Sequence, residues 1–572
     1  MKTMKTMKSI ICAVILFGMP AVVSSQSIVD TKHNLSVSGP GAVKASTEHE
    51  ICLFCHTPHN CVPSSPLWNR ANSGATYTTY SSTTMNASPG QPTGSSIMCL
   101  SCHDGTVALG QLKSMGATLI TFASTTFMPA GITGNLGTDL RNDHPISFVY
   151  DNALAASDGE LKEPGSILIP SIKLENNQLQ CTSCHDAHNS VYGDFLVAST
   201  ENSALCVACH DKPSWALSIH NTSTKEWNGT APDPWPTTDS VTMKTVAKNA
   251  CENCHKPHNS ATGAKRLLKY ATEENVCFDC HNGNVAAKNI QADFGKTYRH
   301  DVLGTSGVHE PYPYELAKTP LVQHVECADC HNSHAVKAQV TVAPFVKGSN
   351  RGVVGIDQSD AVVNPAVYEY QICYRCHSSS AVTASASVKQ ITQNNVRLEF
   401  APTNPSFHPV VDARNKGVLG LDPAFVPSLS LTSKIFCTDC HASSGGNLGA
   451  HGSDYPQILK YNYSRTSAYD GTLNSYQLCY QCHLEATTIS FHNKLDDSGT
   501  KTHGTETSCN TCHDPHGSQT TGSLINFTLS IAGTPLVEAN SLSNAVWWNS
   551  TGAGTGTCNL KCHSHDHINA TY

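Results

Sequence analysis

The pentapeptide Cys-x-x-Cys-His occurs eleven times in this 572-residue chain, ending at His56, His103, His185, His210, His255, His281, His331, His377, His441, His483 and His513. Chance would supply about 0.06 copies at this cysteine and histidine content. A longer variant, Cys558-Asn-Leu-Lys-Cys562-His563, lies near the C-terminus. These twelve sites take 24 of the 26 cysteines and leave only Cys12 and Cys61. The rest of the chain offers little for conventional cores, with 14% charged, 7% aromatic and 39% apolar residues.

The paired thiols are Cys52 and Cys55, Cys99 and Cys102, Cys181 and Cys184, Cys206 and Cys209, Cys251 and Cys254, Cys277 and Cys280 in the first half. Cys327 and Cys330, Cys373 and Cys376, Cys437 and Cys440, Cys479 and Cys482, Cys509 and Cys512, Cys558 and Cys562 follow. One short turn lets both thiols reach the two vinyl groups of a porphyrin as thioethers, while the adjacent imidazole swings beneath the iron. Structural zinc needs four ligands and gives no reason for a histidine after every second cysteine. A disulfide scaffold leaves that histidine unexplained too. A thioredoxin-like redox site would occur once. The pattern therefore predicts twelve covalently bound haem c groups, with the motif histidines, His563 included, as proximal ligands. At the twelfth site the extra residue must bulge between the thiols.

Eighteen further histidines are not scattered. His33, His144, His220, His300, His408 and His492 each stand upstream of an odd-numbered motif, followed by Asn, Pro or Asp. His59, His188, His258, His334 and His516 each lie three residues after the histidine of an odd-numbered motif, and the fifth pair offers His451 ten residues after His441. The implied unit is an upstream histidine, a motif, a following histidine and a second motif, repeated six times. The following histidine cannot serve its own haem, whose proximal face is taken. The simplest expectation gives it to the even haem of its own unit and gives the upstream histidine to the odd haem, closing two coordination spheres with four imidazoles. His49, His309, His324, His503, His565 and His567 are left over.

Residues 1–25 read as a signal peptide: Lys2, Lys5 and Lys8, an apolar run broken by Pro20, then a small-residue cleavage region. The run is shorter than the roughly 20 residues of a spanning helix, and no later segment reaches that length, so no transmembrane segment is expected after cleavage. Losing the three lysines would move the net charge from -8 to -11, which argues against nucleic acid as a partner. Export places the chain in the periplasm, on the outer-membrane surface or outside the cell. The expected organisation is six linear di-haem units at 26–135, 136–215, 216–295, 296–403, 404–487 and 488–572. With about 46 mature residues per haem, the fold should be mostly irregular and defined by its cofactors, with short helices around the motifs and few strands. Strands are expected near 117–127 and 527–537, and exposed loops at 73–96 and 550–557.

The segments 50–60 (EICLFCHTPHN), 91–105 (QPTGSSIMCLSCHDG), 181–189 (CTSCHDAHN) and 509–517 (CNTCHDPHG) resemble the multihaem c-type cytochromes with doubled Cys-x-x-Cys-His motifs, in particular outer-surface cytochromes of metal-reducing bacteria. The resemblance implies bis-histidine low-spin haems, an extended haem chain and long-range electron transfer towards an extracellular acceptor such as metal oxides. It also implies redox protein partners, an outer-membrane porin conduit or self-assembly into filaments. The expected role is thus an electron carrier without catalytic residues. The alternative is a multihaem reductase of a small nitrogen or sulfur oxyanion, which needs an iron with an exchangeable position; no motif here replaces its proximal histidine.

Overall fold

The computed structural model describes residues 27–61, 67–235, 244–261, 265–304, 309–314, 325–379, 395–413, 429–430, 432–447, 449–464, 475–483 and 513–526, and parts of 530–571. The expected signal segment, His492, Cys509, Cys512 and His563 lie outside the described residues. Two compact units share the chain in an interleaved way. One comprises residues up to Ala75 with Pro92–Gly137 and Ile169–Ser199; the other comprises Thr76–Gln91, Thr138–Leu168 and residues from Thr200 onward.

Regular structure is sparse. The longest described helices are Gly94–His103 and Glu369–His377, and each ends on a motif histidine. Glu175 accepts the Ser95 N–H at 3.0 Å, supplying the first helix with an N-terminal carboxylate. Elsewhere the motif is little more than one turn, as at Cys181–Cys184, Cys327–Cys330 and Cys437–Cys440. In eight motifs the histidine N–H donates to the carbonyl of the first cysteine at 2.8 to 3.0 Å, an i to i+4 bond that closes a single turn. Thus the five residues make their own structure and need no long helix around them.

Most ladders are two residues long. Thr78–Thr79 pairs in parallel with Asp139–Leu140, while Tyr298–Arg299 pairs with Gly452–Ser453, Gly355–Ile356 with Val362–Val363, and Ser406–Phe407 with Gly517–Ser518, all antiparallel. The expected strand at 117–127 is reduced to the isolated bridges Gln111 with Leu119 and Ala45 with Phe122. The region 73–96 is not simply an exposed loop: Tyr77 and Tyr80 are buried, and the Tyr80 hydroxyl accepts the Arg266 N–H at 2.9 Å. Two aromatic rings outweigh the polar composition that suggested an exposed loop.

A larger sheet forms near the C-terminus, where Thr555–Cys562 pairs with Trp547–Gly552, Val537–Glu538 and His565–Thr571. The cysteines of the twelfth motif lie on this sheet, with a register irregularity between Cys558 and Leu560, where the extra residue was expected to bulge. Cys558 is a buried strand residue packed with Val537 and Leu560. In an extended strand, Cα atoms four residues apart are separated by about 13 Å, too far for the compact turn of the other motifs. The additional residue puts His563 five residues after Cys558, one more than the i to i+4 spacing of the other motifs.

Apolar packing is divided into small clusters. The largest holds Val354, Ile356, Tyr370, Tyr374, Phe400, Phe407 and Val410; another holds only Ala45, Phe54, Leu109 and Phe122. Ile356 is fully buried whereas Val340 is 98% exposed. Ile356→Ala should therefore lower the local opening free energy around 354–374 by about 2–5 kcal/mol, and Val340→Ala should stay within about 0.5 kcal/mol. Amide hydrogen exchange of the haem-loaded protein measures both.

Candidate haem-ligation sites

Five of the six odd-numbered motifs are followed by a short return of the chain. Antiparallel bridges join His56 to Trp68, His185 to Leu196, His255 to Leu268, His441 to Leu459 and His513 to Ile525. In four of these returns two successive non-glycine residues adopt positive φ: Asp194 and Phe195, Arg266 and Leu267, Gln457 and Ile458, Ser523 and Leu524. Such left-handed pairs are costly, and they aim a carbonyl at the motif histidine. The Asp194, Arg266, Gln457 and Ser523 carbonyls accept from Nδ1 of His185, His255, His441 and His513 at 2.8 to 2.9 Å. The Ser349 and Gly134 carbonyls do the same for His331 and His103, at 2.8 and 2.6 Å.

A carbonyl only accepts, so Nδ1 carries the proton and Nε2 keeps its lone pair for a metal. These acceptors were missed in the sequence reading. Their trace is a hydrophobic pair ten to eighteen residues after the motif histidine: Phe195-Leu196, Leu267-Leu268, Ile458-Leu459 and Leu524-Ile525.

Nine motif histidines face one of the other histidines. The pairs are His103 with His33, His56 with His188, His210 with His144, His281 with His220 and His255 with His334. The remaining four are His377 with His300, His331 with His451, His483 with His408 and His441 with His516. Ring centroids stand 6.1 to 6.4 Å apart throughout. Two imidazoles on opposite faces of one iron, each bonded at about 2.0 Å with its ring centre about 1.1 Å further out, have centroids about 6.2 Å apart. The residues thus fit a bis-imidazole haem at each pair. Burial, with the partner ring as the next cause, lowers His210 and His334 to about 3 and His33, His281, His441 and His451 to about 4. These rings are neutral at pH 7, the form that donates to a metal.

The register differs from the sequence expectation. The upstream histidine faces the even motif of its own unit, and the following histidine faces the odd motif of the unit before. His451, despite its departure in spacing, obeys the rule by facing His331. The reason is a clasp that sequence spacing does not encode. The residue just before each following histidine accepts a hydrogen bond from an upstream histidine one unit earlier. Ala187, Ser333 and Ala450 carbonyls accept from Nδ1 of His33, His220 and His300 at 3.4, 3.0 and 2.7 Å. Pro515 accepts from Nδ1 of His408, and Pro257 from the backbone N–H of His144. Once two units are clasped in this way, the following histidine lies over its predecessor's odd motif. His258 Nδ1 stands 3.1 Å from the Asp143 carboxylate.

The cysteines form a second alternating pattern. First cysteines of an even motif and the next odd motif lie within hydrogen-bond reach: Cys99 and Cys181, Cys206 and Cys251, Cys277 and Cys327, Cys373 and Cys437. Second cysteines are electrostatic neighbours within a repeat: Cys55 and Cys102, Cys254 and Cys280, Cys330 and Cys376, Cys440 and Cys482. The even–odd contacts are held by side chains that accept backbone N–H groups of the next motif. Ser96 and Ser203 take Cys181 and Cys251, and Glu273 and Glu369 take Ala328 and Thr438, at 2.6 to 3.3 Å. Attachment sites one to three in the first compact unit, and four to ten in the second, therefore follow one another in runs.

The doubled CXXCH motif family matches residues 175–214, 244–286 and 431–488. A multihaem cytochrome MtrA of Shewanella baltica is 25% identical over 107 residues, 19% of this chain; the match spans about a quarter of that curated relative's length. These matches support a multihaem c-type cytochrome. The chain resembles the electron-transfer cytochromes of Shewanella, and its paired motifs indicate covalently bound haem c. Among its described residues no helix is long and apolar enough to cross a membrane.

Two charged groups act directly on the cytochrome's sites. Arg70 is fully buried, donates to the carbonyls of Ser101, Ala108 and Leu109, and opposes the effect of burial on the Cys55 and Cys102 thiols. Glu399, also buried, accepts from Nδ1 of His516 at 2.6 Å. A carboxylate in this place makes the imidazole more basic and favours the oxidised metal. Glu399→Gln should raise the midpoint potential of one haem, that of His441, and leave the others in place; spectroelectrochemical titration detects the change.

Proposed function

We propose that this cytochrome is a dodecahaem electron conduit, passing electrons over long range through bis-histidine haems towards an extracellular acceptor such as metal oxides. Bound haem supplies a one-electron iron couple at each attachment site. The observation that carries the reading is the set of nine facing imidazole pairs at one constant separation. An iron held from both faces has no position for substrate, which favours transfer over the reductase reading. The runs of neighbouring attachment cysteines support close succession of the haems.

The six di-haem units, the ligand histidines and the count of twelve belong to this proposal. Eleven regular motifs and one lengthened one support the count. The relative named a multihaem cytochrome supports an extracytoplasmic location and redox protein partners, with an outer-membrane conduit as the expected setting. The leader-like segment at 1–25 agrees with export.

Mass spectrometry of the mature protein is expected to show twelve haems added to the chain. Eleven would assign the deficit to Cys558 and Cys562, and a count far lower would remove the conduit reading. His188→Met should alter the low-spin spectrum of one iron, and a cryo-microscopy map should locate the change at Cys52 and Cys55. A change located at Cys206 and Cys209 would restore the own-unit ligand assignment.

A further inference from the structure

A buried cation stands between the first two attachment sites. Arg70 sits on the return of the chain after the first motif, where the Asn69 N–H donates to the Cys55 carbonyl at 3.0 Å and the Asn69 side chain donates to the Leu53 carbonyl at 2.7 Å. From that anchored position the guanidinium reaches into the second motif. Its Nε donates to the Ser101 hydroxyl at 3.3 Å, and its terminal nitrogens donate to the carbonyls of Leu109, Ser101 and Ala108 at 2.6, 3.0 and 3.1 Å. These acceptors are all neutral oxygens, and among the described residues no carboxylate comes within 4.0 Å of the Arg70 nitrogens. The Cys102 thiol is within hydrogen-bond reach of the guanidinium, and Cys55 is its electrostatic neighbour.

The contrast with the eighth motif shows what is unusual here. Arg375, the other buried arginine among the described residues, is met by the Asp329 carboxylate at 3.2 Å. Arg70 lies instead at the C-terminal end of the helix Gly94–His103, whose last carbonyls carry about half a negative charge. That is enough to hold a guanidinium away from water, and it leaves net positive charge behind. Leu109, whose carbonyl Arg70 engages, packs with Phe54, Phe122, Cys55 and Cys102, so the charge acts through an apolar medium that screens it poorly. Asp104, buried near Cys102, accepts from the Thr106 N–H and hydroxyl at 2.8 and 2.9 Å, and it opposes Arg70 at that thiol with the smaller effect.

We propose that Arg70 biases the first two haem sites towards the reduced state, raising their potentials so that electrons reside in this pair. A bis-imidazole iron gains one positive charge when it gives up its electron, so a fixed cation beside the attachment cysteines opposes oxidation. Each iron takes a single electron from the redox protein partner proposed above, and no bond is made or broken. An arginine stays charged at every working pH, which makes the bias permanent. The inference rests on the bis-imidazole reading given above and assigns Arg70 a tuning role, since it ligates neither iron.

The test is spectroelectrochemical titration of the full-length, haem-loaded protein, with loading checked by mass spectrometry. Arg70→Gln removes the charge and keeps an amide donor. It should lower two midpoint potentials, the reduced-to-oxidised ratio of each falling at least about tenfold at a fixed applied potential. Arg70→Lys keeps the charge and should leave both close to wild type. Ser101→Asp puts a carboxylate where Nε now donates, so it should lower the same two potentials with Arg70 still in place, a result that does not depend on how the glutamine variant folds. Combining Arg70→Gln with His188→Met, which marks the iron at Cys52 and Cys55, should lower the marked iron. Potentials unmoved by Arg70→Gln and by Ser101→Asp overturn the proposal. So does an Arg70→Lys protein shifted as far as Arg70→Gln, which would make the role one of packing. A His188→Met spectrum identical to wild type sinks the bis-imidazole reading instead, a failure separate from that of the charge effect.

Discussion

An iron in a porphyrin accepts axial ligands only from opposite faces, and facing histidine pairs that would suit it link distant parts of the chain. The motif supplies one face locally, because cysteines and histidine share a single turn. The other face has to come from elsewhere in the sequence. His56 and His188 are 132 residues apart, yet their ring centroids are 6.1 Å apart. With apolar clusters as small as four residues, such pairings take over the joining role that a continuous core has in other proteins of this length.

Holding imidazoles in this way imposes local costs, and the backbone carries them. Left-handed residues such as Asp194, Arg266 and Gln457 are unfavourable in isolation, at about 1–3 kcal/mol each. Their carbonyls fix the tautomer and tilt of a neighbouring ring, and burial keeps the His255 and His441 rings neutral. The same economy is visible where motifs adjoin. Arg375 lies within the eighth motif, and its guanidinium meets both the carbonyl and the carboxylate of Asp329 in the seventh. A buried pair of this kind contributes little net stability but specifies which motif packs on which.

The alternating cysteine contacts give the arrangement its direction. Within each compact unit, first cysteines of an even and the next odd motif lie within hydrogen-bond reach while second cysteines of one repeat are electrostatic neighbours, so successive attachment turns adjoin through different sulfurs. Glu273 and Glu369 serve a helix start and clamp the next motif at once.

The attachment chemistry was legible in the sequence because Cys-x-x-Cys-His is a complete local instruction: one turn places two thiols and an imidazole without help from distant residues. The same applies to the scarcity of regular structure and to the roster of spare histidines, which included His451 despite its spacing. Only the tertiary structure decided which motif histidine nine of the spare histidines face. Upstream histidines bond to the turns of the following unit, as His300 does to Ala450, and this contact reverses the assignment that proximity along the chain suggests. The twelfth motif differs for a related reason. There the added residue takes the histidine out of i to i+4 spacing, and Thr555–Cys562 pairs as a strand with Trp547–Gly552. Covalent spacing sets what a segment can bind; contacts between segments set its geometry and its partner.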